Sequence, residues 1–208
     1  METRILSAGD IAQAAEVIKS DGLVAVPTET VYGLAANGLS ERAVEKLYEA
    51  KGRPETKPIS LFVADMKDAE HFCREIPEEA YALGEKFWPG PLTMVLKRRE
   101  NVPDITAAGG NTVGVRCPDN VLTLELLRLS GVPLTGTSAN ISGMPNANSI
   151  DEVMAYFDGK IDCAIDGGKC TGGVPSTVVD MTGPEVKILR RGAISSEDIQ
   201  NALKEGKR

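Results

Sequence analysis

Helical and strand-like patterns alternate along this chain from Ile11 to its last residues, with no stretch left over for a linker, a repeat or a low-complexity tract. Ile11, Ala14, Ala15 and Ile18 recur at helical spacing after Asp10, and Gly22 stops that helix before the apolar strand Leu23-Val24-Ala25-Val26. A second helix follows Ser40, with Ala43, Val44, Leu47 and Tyr48 on one face, and delivers the chain to Lys51. Residues 59–63 read as a strand, and 65–72 and 78–87 as helices. Beyond the turn Trp88-Pro89-Gly90-Pro91, strands are expected at 92–96 and 113–116, then a helix over 122–129 ended by Gly131, then a strand at 132–135. Ser149 and Glu152 form a capping box for a helix that runs to about Phe157. Segments 163–165, 177–179 and 186–189 supply further strands, and Ser195 opens a last amphipathic helix. This order predicts one α/β domain over residues 1–208, a mixed sheet with flanking helices.

Composition narrows what such a domain does. A chain of 208 residues, 42% of them hydrophobic, can bury a substantial core. Its formal charge of −7 argues against a broad basic footprint for nucleic acid, and its few aromatic residues against a base-stacking platform. The four cysteines contain no C-x-x-C pair, and the single histidine, His71, stands beside Glu70 and Arg74 in what reads as a short polar helix. Neither a thiolate or imidazole metal site nor a Ser-His-Asp triad is therefore expected. With no signal peptide and no apolar run long enough to span a bilayer, a cytoplasmic protein with reduced cysteines and no membrane partner is expected.

Against that acidic balance, Lys51-Gly52-Arg53-Pro54-Glu55-Thr56-Lys57-Pro58 sets three cations and one acid into eight residues. A guanidinium grips two phosphate oxygens with a planar fork, whereas an ammonium acts as a point charge. Gly52 and Pro54 between the cations make a stiff presenting loop at the end of a helix. Familiar nucleotide loops are missing: no two glycines stand two residues apart, and Gly168-Lys169 is followed by Cys170 without the upstream glycine of a Walker loop. A bound nucleotide must be held in another way.

Four polar segments rich in small residues sit where apolar strands end. They are Pro27-Thr28-Glu29-Thr30-Val31-Tyr32-Gly33; the cationic loop continued by Ile59-Ser60; Thr137-Ser138-Ala139-Asn140; and Val174-Pro175-Ser176-Thr177, with Arg190-Arg191-Gly192 a strand later. In open α/β sheets ligands collect at strand ends, so these segments are candidates to converge on one crevice.

The same motifs, in the order P-T-E-T-V-Y-G, K-G-R-P with K-P, W-P-G-P-L-T, V-G-V-R-C-P, S-A-N, P-S-T-V-V and L-R-R-G, resemble the YrdC-like family of L-threonylcarbamoyladenylate synthases. The resemblance implies a twisted open α/β sheet around a basic cavity, in the form without an extra C-terminal domain. It implies a reaction that joins L-threonine, bicarbonate or carbon dioxide, and ATP into threonylcarbamoyl-AMP and pyrophosphate. Magnesium is expected with the ATP, its ligands unassigned. Other proteins would then transfer the threonylcarbamoyl group to tRNA, with weak contact of this chain to tRNA itself. Carried over by position, Lys51 and Arg53 would clamp the phosphates, and Ser138, Asn140, Arg190, Thr112 and Asn146 would contact the nucleotide. Arg116 would pair with the threonine carboxylate beside Thr28, Ser176 and Tyr32, while Lys57 and Arg191 would lend electrostatic support. Two alternatives share the fold: a non-catalytic RNA-binding relative, and a domain that activates carbamoyl phosphate.

Overall fold

A computed structural model describes residues 2–206. The helices form where periodicity and caps coincide. In α1 (Ile11–Lys19) the buried residues are Ile11, Ala14, Ala15 and Ile18, the four at helical spacing. Ser40 caps α2 (Glu41–Lys51) by accepting the Ala43 N–H, and Gly52 ends it at φ 57°. Ahead of α5 (Val121–Ser130), Asn120 accepts from Leu122 and Thr123. Ser149 caps α6 (Ile150–Phe157) and Ser195 caps α7 (Ser196–Glu205), each hydroxyl accepting the amide three residues on. The remaining helices are α3 (Met66–Ala69) and α4 (Glu78–Phe87).

The strands divide over two mixed sheets. The first contains β1 (Arg4–Leu6), β2 (Val24–Val26), β3 (Gly33–Ala35), β9 (Thr137–Ser138) and β10 (Cys163–Ile165), in the spatial order β1-β10-β2-β3-β9. The second runs β12-β11-β6-β7-β4-β8 through β4 (Leu61–Phe62), β6 (Leu92–Arg98), β7 (Thr112–Arg116), β8 (Leu134–Thr135), β11 (Thr177–Asp180) and β12 (Lys187–Arg190), with β5 (Cys73–Arg74) paired beside β6. Each sheet combines parallel and antiparallel pairs, as the α/β class with a mixed sheet requires.

At one crossing a single residue joins the two. Between β8 and β9 the chain crosses from the second sheet to the first at Gly136, where an added Cβ would lie 2.6 Å from the Phe62 ring. The crossing is fixed on both sides: Thr135 N–H donates to Ala36 O at 2.9 Å and Gly136 N–H to Ser60 O at 2.6 Å.

Three apolar clusters support this frame. Leu83, Leu92, Met94, Val115, Val179 and Ile199 bind α4 and α7 to the second sheet. Leu34, Leu47, Val153 and Phe157 set α2 and α6 against the first, while Ile11, Ile18, Val24, Leu126 and Ile165 seat α1 and α5. Each such side chain contributes roughly 1.5–3 kcal/mol when fully buried.

The helix expected over 65–72 is a single turn, α3, capped by Asp65. Phe72 and Cys73 are drawn into the core, so His71 falls beyond the helix and Arg74 lies in a strand rather than in a polar helix. Arg99 N–H donates to Phe72 O at 2.8 Å, and that pairing competes successfully with further helical turns.

Candidate active site

Gly52 determines how the cationic loop is presented. Its left-handed backbone, with nothing within 4 Å of an added Cβ, reverses the chain between two cations of opposite fate. Lys51, on the inner face of α2, is 1% exposed, and its ammonium donates to Ser138 O and, at 2.7 Å, to Asn140 O. Arg53, past the turn, is braced by Lys57 O and Pro58 O and faces a cavity.

That cavity, about 250 Å³, opens at the junction of the two sheets. Thr28, Thr30, Tyr32, Ser138 and Asn146 contribute from the side of the first sheet, and Ser60, Thr93, Arg116, Ser176 and Arg190 from the side of the second. Three arginines and many hydroxyl groups line it, and no carboxylate does. The lining is built to receive anions.

The S-x-N segment divides as the cationic loop does. Ser138 lines the cavity and donates to Asn140 Oδ1 at 2.6 Å. Asn140, 7% exposed, uses its amide N–H on Met144 O at 2.6 Å and so organises the turn beneath Ser138. Lys51 and Asn140 thus form an internal brace, and Arg53 and Ser138 form the surface that it supports. Burial first and the Arg53 guanidinium second push the Lys51 pKa down to about 7. The carbonyl oxygens of Ser138 and Asn140 oppose that shift by favouring the ammonium.

Arg116 ends β7 and is 6% exposed. Its Nε donates to Gly90 O at 3.1 Å, and its Nη2 to Glu29 Oε1 at 2.7 Å and Thr30 Oγ1 at 3.2 Å. The Phe62 ring lies beneath it, 5.7 Å from the guanidinium carbon to the ring centre. Arg190, at the rim, grips Ser176 through both its backbone oxygen and its hydroxyl at 2.9 Å, and Ser176 in turn meets Thr93 Oγ1. This clasp depends on Gly192, where a Cβ would stand 2.3 Å from Pro175 O. Desolvation and then the Arg116 charge lower the Arg190 pKa, as expected of cations drawn toward one cavity.

Not every expected residue arrives. Thr112 opens β7 four residues before Arg116, about 13 Å away at the rise of a strand, and is not among the lining residues. Lys57 and Arg191 are exposed and likewise absent from the wall. Tyr32 is on the wall, yet its hydroxyl is consumed by Gly168 O at 2.8 Å and by the Gly167 N–H, and burial raises its pKa. The Thr28 hydroxyl is likewise engaged within its own turn, donating to Val31 O at 2.6 Å. Thr30, Ser60 and Thr137, from the polar segments, and Thr93 from β6 line the cavity although none was assigned a role of its own. Thr30 and Ser60 lie outside strands, and single hydroxyls there or on β6 and β9 carry no periodic signal. Glu29 was visible as a carboxylate among hydroxyls, but nothing in the sequence joined it to Arg116.

A larger surface groove, about 700 Å³, lies at Arg74, Arg98 and Arg99, but these guanidiniums are turned onto backbone carbonyls and onto Glu75 and Asp104. Among the described residues no group of three or more His, Cys, Asp or Glu side chains could hold a metal ion, and no helix is long and apolar enough to cross a membrane.

Known proteins resemble this chain in sequence and fold. The threonylcarbamoyl-AMP synthase of Pyrococcus abyssi is 47% identical over 192 residues, covering 92% of this chain and 56% of the relative. That of Bacillus subtilis is 43% identical over 195 residues, covering 93% and 56%. The chain therefore spans a little over half the length of these curated relatives. The structure of P. abyssi Sua5 complexed with L-threonine superposes with a TM-score of 0.93 at 44% identity, over 97% of this chain and 61% of that one. Residues 16–192, which include every segment of the cavity wall, match the Sua5/YciO/YrdC family model, described as "Telomere recombination", and the chain belongs to that family.

Proposed function

We propose that this chain is an L-threonylcarbamoyladenylate synthase, which makes threonylcarbamoyl-AMP and pyrophosphate from L-threonine, bicarbonate or carbon dioxide, and ATP. The observation that carries this reading is a cavity lined by three arginines and no carboxylate, in a protein of net charge −7. Such a wall suits a reaction that brings together a carboxylate, a carbamate and a triphosphate and whose charge grows on phosphate oxygens. The relatives' printed names and the L-threonine complex of P. abyssi Sua5 support the same assignment.

Arg116 takes the threonine carboxylate through the face of its guanidinium left free of Gly90 and Glu29. The surrounding cations disfavour an ammonium, so the amine gives a proton to bicarbonate, which becomes carbon dioxide and water. Its nitrogen then attacks that carbon dioxide and releases a second proton to solvent, leaving a carbamate. A carbamate oxygen then attacks the α-phosphorus of ATP, and the bond from that phosphorus to the bridging oxygen breaks, leaving with pyrophosphate. Arg53, Arg190 and Ser138 stabilise the charge that builds on the phosphates, and Asn146 adds a polar contact. Lys51 and Asn140 hold Ser138 in place. The wall offers no carboxylates for the expected magnesium ion, so that ion is assigned no residues.

The interlocking clusters around the cavity support reading residues 1–208 as one domain. Four buried, unpaired cysteines fit a reducing, cytoplasmic setting, with the product handed to proteins that modify tRNA. The test is pyrophosphate release from protein, ATP, threonine and bicarbonate. Release should require threonine and bicarbonate together, and equal release with either omitted would remove the carbamate as nucleophile.

A further inference from the structure

The three cavity arginines are not electrostatically equal. Arg53 is braced by two backbone carbonyls, and Arg190 by the carbonyl and hydroxyl of Ser176, all of them neutral. Among the described residues, only Arg116 of the three has a carboxylate partner. Glu29 is poised for that task. Its Oε1 accepts from Arg116 Nη2 at 2.7 Å, its Oε2 accepts the Asp119 N–H at 3.2 Å, and the paired side chains are 7% and 20% exposed. Glu29 itself does not line the cavity. It acts from behind the guanidinium.

We infer that Glu29 is a specificity-determining residue that divides the cavity into a subsite for a polyanion and a subsite for a single carboxylate. The inference rests on the proposed pairing of Arg116 with the threonine carboxylate. A bare guanidinium in this setting would attract the most highly charged anion available, which is a polyphosphate. Glu29 compensates one charge in advance, so a triphosphate or pyrophosphate gains little at Arg116, while a monocarboxylate still finds a correctly oriented donor face. Arg53 and Arg190, with no carboxylate partner, keep their full charge for the polyphosphate. Glu29 also fixes the guanidinium plane, together with Gly90 O and Thr30 Oγ1, so that carboxylate recognition needs no rearrangement.

The experiment compares wild type, Glu29→Gln and Arg116→Lys by steady-state kinetics with pyrophosphate as inhibitor. In wild type, pyrophosphate should compete with ATP and not with threonine. In Glu29→Gln the threonine KM should rise at least tenfold, the ATP KM should stay within about threefold, and pyrophosphate should become competitive with threonine as well. If Arg116→Lys raises the threonine KM but Glu29→Gln changes neither that KM nor the inhibition pattern, Glu29 is not the discriminator, and the assignment of Arg116 stands. If Arg116→Lys leaves the threonine KM unchanged, the assignment of Arg116 fails and the role of Glu29 fails with it. Should Glu29→Gln not fold, calorimetry on wild type decides: threonine affinity unchanged within twofold at saturating pyrophosphate supports the division, and displacement of threonine overturns it.

Discussion

Lys51 and Arg53 stand two residues apart in one motif, yet Gly52 gives them different work, and mutation should separate them. Arg53→Ala should lower turnover on the order of 100-fold with little change in melting temperature, if its charge meets the transition state as proposed. Lys51→Met should instead destabilise the fold by roughly 1–3 kcal/mol at pH 9, since it leaves the carbonyls of Ser138 and Asn140 without a donor. Arg53→Ala melting early while keeping its specific activity would make the loop structural. The Lys51 pKa adds a pH signature. Held near 7 in the folded protein against an ordinary 10.5, Lys51 binds fewer protons folded than unfolded between those values. Stability must then rise with pH across that window, so the advantage of wild type over Lys51→Met in denaturant melts should grow from pH 7 to pH 9. A constant gap would mean that the two carbonyls keep the ammonium charged throughout. The cysteines should be silent to iodoacetamide until denaturant is added, because burial pushes Cys73 and Cys117 up to about 12 and Cys163 up to about 11.

Among the elements, β12 and the turn after it set one wall of the site through a contact that tolerates no side chain. Gly192→Ala would drive a methyl group into Pro175 O and the Ser176 backbone, 2.3 and 2.4 Å away. The strand must shift, taking Arg190 off Ser176, at a cost of about 1–3 kcal/mol. A raised ATP KM is the expected result, and unaltered kinetics would mean that Arg190 does not need the clasp. Elements of this size also explain what the sequence disclosed. The helices were legible because Ser40, Ser149 and Ser195 cap runs long enough to show a period of 3.6. Strands β5, β8 and β9 are two residues each, too short for alternation, so the split into two sheets left no trace in the pattern. Convergence of the four polar segments followed from their position at strand ends. Thr112 stands off the wall: a motif gives order along the chain and not which end of β7 meets the cavity. Thr93 carried no mark because a hydroxyl on a strand looks the same facing solvent or cavity.

On the scale of the whole molecule, the cavity lies where two sheets meet, and ligands that fill it should hold those sheets together. Threonine and ATP at about 100 times their dissociation constants should each add about 2.7 kcal/mol to the unfolding free energy, visible as a rise in melting temperature, if they bind only the folded form. No rise with either ligand would mean that the folded form does not bind it in preference to the unfolded chain. The same junction bears on a different variable. A chain that folds around unfilled volume becomes smaller when it unfolds, so compression works against the native state. The crossing at Gly136, pressed against the Phe62 ring with no room for a side chain, is packed solid, whereas the cavity beside it is not. Hydrostatic pressure should therefore find the space between the sheets before it finds the three apolar clusters, and the ligand-free protein should yield at lower pressure than the same protein with its substrates in place.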